Sequence, residues 1–274
     1  MNEITITEKI EQSMQTLPDL RISPFLPIEK INKNSKLYKN FVKNNNILER
    51  KTSWGKIQLR NRLLTQYHND VINGVMALKD KRIFVLNNGD IAIFFSLYKL
   101  TQMMNLVWSS RNKENLISTM LEIRDLVIAR WTNSGDLIAT YNIIKDAKYS
   151  QKLDKFGIIL PADFVTFTLN EITIDFPKTY SKMRSLIKGR GQGLIKAIIN
   201  FFITQKTNQQ ISLLKLLETI AYPTTERQIR NAREIINKNI NILEKEFNIK
   251  FDKKTKTFTY TEQLEDIKFL SAIK

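Results

Sequence analysis

The chain has 274 residues, 42% of them apolar, which suits two domains of ordinary size that each bury a core. Its formal net charge of +16 favours a polyanionic partner, either nucleic acid or an anionic membrane surface. No stretch approaches the ~18 consecutive apolar residues of a spanning helix, so no membrane partner is expected. The absence of cysteine excludes disulfides and thiolate chemistry. Met1–Pro18 contains three glutamates and no compact apolar run, unlike a signal peptide, so we expect a cytosolic protein.

Residues 1–46 predict a weakly structured N-terminal arm. A short amphipathic segment, Ile4–Met14, is followed by three prolines and then by a polar, basic run over 30–46. Proline and polar runs of this kind favour loops, so the arm is expected to hold one helix and otherwise to be partly disordered.

Residues 47–150 predict a first winged-helix domain. The expected elements, in chain order, are a strand at 56–60, a helix capped by Thr65, a hairpin over 82–95, a short helix capped by Ser96, a longer helix capped by Ser109 or Ser110, and a hairpin over 126–144. Helix, short helix, helix and hairpin is the order of a winged helix, so the hairpin over 126–144 should be its wing.

The same order recurs over 178–262 and predicts a second winged-helix domain. Before it lies an expected connector, 151–177, with a mostly β-branched run at 164–174, and after it a tail, 263–274. The expected elements of the second domain are an apolar helix at 194–202, a short helix at 211–220, a turn at 221–224, a long helix capped by Thr225, and a tight hairpin over 249–260. The fold class is therefore predicted to be α+β, rich in helix, with two tandem winged-helix domains behind a short arm.

Positive charge is denser in the second domain. From Lys178 to Lys256 there are 17 basic and 6 acidic residues, a net charge of +11, against +7 from Arg50 to Ser150. The apolar residues of the long helix are Ile229, Ile236, Ile240, Leu243 and Phe247, a sustained helical stripe. Its first turns carry Arg227, Arg230 and Arg233 off that stripe, where the arginines face outward.

These first turns predict a DNA-reading surface. A basic helix face is often merely solvated, but cations near a helix N-terminus are disfavoured by the helix dipole, and a phosphate backbone would favour them. Arginine reads guanine, and Gln228 and Asn231 among the arginines could read adenine. Thr225 caps the same helix start. The lysines expected to contact phosphate from the second hairpin are Lys250, Lys253, Lys254 and Lys256.

Three further basic residues are weaker candidates for DNA contacts. Arg111 and Lys113 begin the corresponding helix of the first domain, where acidic residues dilute them, so backbone contacts and a protein–protein role are both open. Arg190 lies in the glycine-rich segment 188–193, which no predicted strand precedes. That segment is either a flexible basic turn or a nucleic-acid phosphate contact.

Residue types needed for catalysis are scarce. His68 is the only histidine, so a metal-binding histidine pair of the kind used by nicking enzymes cannot form, and His68 is expected to be a surface or packing residue. There is no G-x-x-x-x-G-K-[ST] motif for ATP and no acidic pair that suggests a metal site. We therefore predict a protein that is not an enzyme and uses no metal or cofactor.

Two blocks of the sequence resemble the plasmid replication initiators of the RepA/TrfA type. Residues 54–60 and 63–71 are similar to that family's strand, its "Leu-Thr-Gln…Asp-Val" helix start and the helix that follows, and 95–100 is similar to its next helix start. The resemblance implies tandem winged helices that bind repeated origin sequences in duplex DNA and recruit a host initiator and the replicative helicase. It implies a bacterial cytoplasmic protein associated with plasmid or nucleoid, with base contacts made mainly by the C-terminal domain.

Three functions remain open from the sequence. The first is an origin-binding replication initiator, the second a transcriptional regulator of the same architecture, and the third a non-catalytic adaptor that binds acidic partners. Whether the protein acts as a monomer or a homodimer is also open.

Overall fold

A computed structural model describes residues 15–52, 55–175 and 177–270. Helix accounts for 43% and strand for 25%, which confirms a mixed α+β protein richer in helix. The helices are α1 (Leu17–Arg21), α2 (Lys36–Lys43), α3 (Gln66–Ala77), α4 (Leu97–Met103), α5 (Ser110–Asp125), α6 (Ala162–Asn170), α7 (Pro177–Leu186), α8 (Gln192–Ile203), α9 (Leu213–Thr219) and α10 (Glu226–Phe247). The strands are β1 (Phe25–Leu26), β2 (Ile47–Thr52), β3 (Gly55–Arg60), β4 (Leu64–Thr65), β5 (Arg82–Val85), β6 (Ile91–Phe95), β7 (Val127–Trp131), β8 (Leu137–Tyr141), β9 (Asp146–Ser150), β10 (Lys155–Leu160), β11 (Thr173–Asp175), β12 (Gln210–Ser212), β13 (Ile249–Asp252), β14 (Thr257–Tyr260) and β15 (Lys268–Leu270). In the described segments no helix is both long enough and apolar enough to cross a membrane.

Two sets of elements share one order along the chain. In the first helical unit, α3, β6, α4 and α5 precede the hairpin β9–β10, within a sheet of order β5-β6-β10-β9. In the second helical unit, α8, β12, α9 and α10 precede the hairpin β13–β14, within a sheet of order β12-β14-β13. In both units, the strand before the short helix pairs antiparallel with the last strand of the hairpin.

The hairpin expected over 126–144 forms as β7–β8 but joins a different sheet. β7 pairs with β3 and β8, giving a separate antiparallel sheet of order β2-β3-β7-β8. The place beside β6 is taken by β10, whose Phe156, Ile158 and Leu160 are buried in the core that also holds Ile91 and Ile93. The prediction that 126–144 is the hairpin beside the first unit's short-helix strand is therefore wrong, because β10 pairs with β6, although Ile128 and Tyr141 of β7–β8 are buried in the same core.

The segment predicted as a connector, 151–177, is also structured. It contains β10, α6 and β11, and its β-branched run folds mainly as α6. Phe164, Val165 and Phe167 of α6 are buried, and the Phe167 ring stacks on Tyr141 with centroids 4.8 Å apart. Tertiary packing thus outweighs the local preference of these residues for a strand.

The described part of the predicted arm belongs to the core. The Thr16 hydroxyl caps α1 by accepting a hydrogen bond from the Asp19 N–H at 3.2 Å, and Leu20 and Phe25 are buried. The buried guanidinium of Arg130 donates to the Asp19 carboxylate. Residues 15–26 and 36–43 are therefore ordered by packing, whereas 27–35 form no helix or strand. The predicted amphipathic segment Ile4–Met14 lies outside the described residues.

The predicted tail is partly paired as well. β15 pairs antiparallel with β11, and Asp266 accepts hydrogen bonds from the Thr179 N–H at 2.7 Å and from its hydroxyl at 2.5 Å. Asp266 is thereby bonded to the first turn of α7, and residues 268–270 to β11. Residues 271–274 lie outside the described residues.

The two large hydrophobic cores meet at a polar contact between α3 and α8, and a third, small cluster holds Leu26, Phe41 and Leu63. One core gathers buried residues from 22 to 169, and the other gathers Leu20 with residues from 174 to 267. Between them, Asp70 of α3 and Lys196 of α8 form a buried ion pair, and the Tyr180 hydroxyl donates to the Asp70 carbonyl oxygen at 2.9 Å. Burial raises the pKa of Asp70, and the nearby Lys196 ammonium opposes this shift.

Candidate nucleic-acid interface

α10 is held by its apolar stripe against the rest of the second unit. Ile236, Leu243 and Phe247 are fully buried, and Ile229 and Ile240 are half-buried against the same core, as the spacing predicts. Ala232, which lies outside the predicted stripe, is also fully buried. The opposite face of this 22-residue helix is therefore left for solvent or a partner.

The first turns of α10 present basic side chains to solvent. The Thr225 hydroxyl caps the helix by accepting from the Gln228 N–H at 3.4 Å. Arg227, Arg230 and Arg233 are exposed, and none of the three forms an ion pair with a carboxylate in the described part of the chain. Three guanidinium groups are thus available, and Arg227 lies in the first turn, where the helix dipole disfavours positive charge.

Gln228 and Asn231 lie at the border of this basic face. Both are half-buried and line a groove with Ile28 and the loop 189–191. Asn231 is one helical turn from Arg227, so their side chains are neighbours on the helix surface. Gln228 lies further round towards the groove, and its predicted base contact requires the side chain to turn outward.

Lys238 extends the basic face and was not singled out from the sequence. Positions 227, 231, 234 and 238 follow the spacing of one helix face, and Lys238 is exposed. Glu234, also exposed, lies between them and reduces the positive charge of this row. The sequence signal that could have identified Lys238 is its helical spacing from Arg227, in steps of four, three and four residues.

The hairpin β13–β14 carries four exposed lysines at its tip and edge: Lys250, Lys253, Lys254 and Lys256. Asp252 orders the turn, because its carboxylate accepts hydrogen bonds from the N–H groups of Lys254 at 2.7 Å and Thr255 at 3.3 Å. These backbone hydrogen bonds lower the pKa of Asp252. Phe251 and Phe258 pack on the inner side with ring centroids 4.5 Å apart. The apolar side of the hairpin therefore fixes it to the core while its lysines face solvent.

The loop that contains Arg190 already holds a carboxylate. Gly189 and Gly191 have positive φ angles of 77° and 88°, and a β carbon at Gly191 would lie 2.5 Å from the Ile235 side chain. The Gly191 N–H donates to the Glu29 carboxylate at 2.6 Å. A nucleic-acid phosphate cannot use that N–H while Glu29 occupies it, whereas the exposed Arg190 side chain remains accessible.

The two candidates from the first unit lie in different surroundings. Ser109 is the residue that caps α5, and its hydroxyl accepts from the Asn112 N–H at 3.2 Å. Arg111 is exposed and lines a groove between the two units. The ammonium of Lys113 lies 4.9 Å from the centroid of the Tyr149 ring, so this lysine is engaged within the protein.

His68 has a structural contact at the start of α3. Its Nδ1 accepts from the Thr65 N–H at 3.1 Å, so Nε2 carries the hydrogen and lies 2.9 Å from a Glu122 carboxylate oxygen. The side chain thereby caps α3, in agreement with the expected packing role. Within the described segments, no three His, Asp or Glu side chains cluster as a metal site would require.

Comparison of the chain with protein-family models, with curated proteins and with solved structures finds no match.

Proposed function

We propose that both helical units are winged helices and that the protein binds duplex DNA in a sequence-specific manner through the second unit. The proposal is supported by the shared order of elements and by the strand pairing, which places the last strand of each hairpin beside the strand that precedes the short helix. In this arrangement α5 and α10 are the third helices, and β9–β10 and β13–β14 are the wings. The first unit then extends from α3 to β10, with β7–β8 inserted before its wing.

The observation that carries DNA binding is the exposed arginine row at the start of α10. The major groove admits a helix, and the N-terminal residues of a recognition helix contact base edges. Arg227 and Arg230 would donate to guanine, and the neighbouring Asn231 could pair with adenine. The lysines of the β13–β14 turn would neutralise phosphates next to that groove.

Replication initiation is the biological role that we propose for this binding. Its support is the resemblance to plasmid initiators, whose strand and helix starts coincide here with β3, with Thr65 before α3, and with the beginning of α4. Trp54, part of the first block, lies outside the described residues. The expected partners are duplex origin repeats, a host initiator and the replicative helicase, in the cytoplasm and on the plasmid.

Selection of binding sites from random duplexes tests the DNA-binding step. A recovered consensus, bound more tightly than random duplex in band shifts, is the expected result, and repeated half-sites would report the stoichiometry. If no duplex is bound even at low salt, the proposal fails and an adaptor for acidic partners is favoured.

A replicon assay separates an initiator from a transcriptional regulator. A plasmid that carries the selected sites should replicate only when the protein is supplied. Normal replication without the protein would reject the initiator role and leave regulation of transcription.

A further inference from the structure

The sheet of the first helical unit has one face turned to solvent that carries aromatic and basic side chains. Because side chains alternate along a strand, Ile83, Ile93 and Ile158 point into the core while their neighbours point outward. We call the outward surface the outer sheet face, and define it by Arg82, Phe84, Phe94, Lys148 and Lys155.

Two phenylalanine rings are exposed side by side on this face. Phe84 is 50% and Phe94 43% exposed, and their rings meet edge to face with centroids 5.9 Å apart. Gly157, opposite Phe94 on β10, makes room for the ring, because a β carbon at Gly157 would lie 2.9 Å from Phe94 Cε1. The sheet thus supports an aromatic surface that the folded chain leaves uncovered.

Basic residues lie on both sides of the rings. The strand register places Arg82, Phe94, Gly157 and Lys148 in one row across four strands. Three inter-strand steps separate the ends of the row, so the two cations are about 14 Å apart at the backbone. Lys155 is two residues from Gly157 on the same face. Lys148 contacts Asp146 at 3.3 Å, but its side chain is 85% exposed.

Among the residues that the structure describes, no acidic side chain lines the groove itself, and Asp146, two residues from Lys148 on the same face, is the acidic neighbour. Its other lining residues are Tyr149, Ser150 and Leu153, the last of them 66% exposed. An occupant therefore needs an apolar, flat surface for the rings and negative charge for the three cations.

From this combination we propose that the outer sheet face binds single-stranded nucleic acid. Bases of a single strand expose their flat faces, which stack on aromatic side chains, while the backbone follows positive charge. Closed base pairs hide those faces, so a duplex cannot use the two rings. The surface shares no residue with α10 or the β13–β14 turn, so this binding is separate from the proposed duplex recognition.

Anisotropy titrations with labelled oligo(dT) and oligo(U) at low salt test the inference. The double variant Phe84→Ala/Phe94→Ala should bind both oligonucleotides about tenfold more weakly or worse, since each lost stack removes ring contact with a base. Phe94→Tyr, which keeps a ring, should retain the affinity. A preference for one of the two oligonucleotides would identify DNA or RNA as the natural strand.

The matched control is Leu137→Ala/Ile138→Ala, which removes two similarly exposed apolar side chains from β8 in another sheet. It should leave oligonucleotide binding unchanged. All variants should keep their melting temperature and their affinity for the selected duplex.

Three results would overturn the inference: no oligo(dT) or oligo(U) binding by the unaltered protein, no effect of the phenylalanine variant, or an equal effect of the control. If the unaltered protein self-associates and the phenylalanine variant loses self-association but not oligonucleotide binding, the face would be assigned to a second copy of the chain. If the proposed duplex recognition is wrong, the selection of binding sites from random duplexes will recover no consensus. That result is independent of Phe84 and Phe94.

Discussion

Arg230 lies on the second turn of α10 with its side chain in solvent and, within the described chain, without a carboxylate partner. If it reads a base, Arg230→Ala should weaken binding to the selected site by ~1–3 kcal/mol and relax the preference at one base position. Removing an exposed side chain should leave the melting temperature unchanged. Band shifts on the selected site and on each of its single-base variants measure both effects.

Lys254→Ala provides the matched comparison, because Lys254 lies at the tip of the β13–β14 turn, where a phosphate contact is expected. It should weaken all duplexes alike and reduce the dependence of log K on log salt by about one unit. Should both variants lower specific and random binding equally, the division between base reading and phosphate contact would be refuted.

At the scale of the residue, the sequence predicted which side chains are exposed but not which groups they contact. Helical spacing alone separates Arg227, Arg230 and Arg233 from the buried stripe. It does not reveal that Lys113 lies over the Tyr149 ring or that Glu29 occupies the Gly191 N–H, because these partners are distant in sequence.

Among the elements, the β13–β14 turn depends on one carboxylate. Asp252→Ala should remove the acceptor for the Lys254 and Thr255 N–H groups, loosen the turn, and weaken duplex binding severalfold for all sequences. Asp252→Asn keeps an oxygen acceptor at the same place and should bind nearly as tightly as the unaltered protein.

Salt titrations of duplex binding by both Asp252 variants provide the measurement. A simple charge effect predicts a different result, since either variant removes one negative charge from the turn that we propose to face DNA, and both should then bind more tightly than the unaltered protein. Tighter binding by Asp252→Ala would therefore argue against the ordered turn as the important feature.

Elements of the second unit were easier to predict than those of the first. From 194 to 260 β13–β14 is the one local hairpin, so it alone can supply the partner strand of β12, and local caps such as Ser212 and Thr225 mark the helix starts. In the first unit β6 pairs with β10 across more than fifty residues, and a complete local hairpin, β7–β8, lies between them. Periodicity predicts the β7–β8 hairpin, but β10 lies in the predicted connector, and local patterning carries no information on which strand pairs with β6.

At the scale of the whole molecule, the buried pair of Asp70 and Lys196 joins the two units. Breaking a buried pair leaves an uncompensated charge, so Lys196→Ala should cost ~3–5 kcal/mol of unfolding free energy at neutral pH. Asp70→Asn/Lys196→Met removes both charges and should be much less destabilised. Urea denaturation, followed by fluorescence and by circular dichroism, measures the loss and shows whether the units then unfold separately.

The pH dependence of this loss has a definite sign. Burial already raises the pKa of Asp70, and Lys196 is the group that opposes this shift most strongly. In Lys196→Ala the pKa of Asp70 should therefore rise further. A carboxyl group whose folded pKa lies above its unfolded pKa destabilises the folded protein above the folded pKa, and this penalty disappears as the pH falls towards the unfolded pKa. Lys196→Ala should therefore recover stability relative to the unaltered protein on acidification, whereas Asp70→Asn/Lys196→Met should show no such recovery. If the loss of unfolding free energy in Lys196→Ala is constant with pH, then it comes from lost packing of the lysine stem and not from the isolated Asp70 carboxylate.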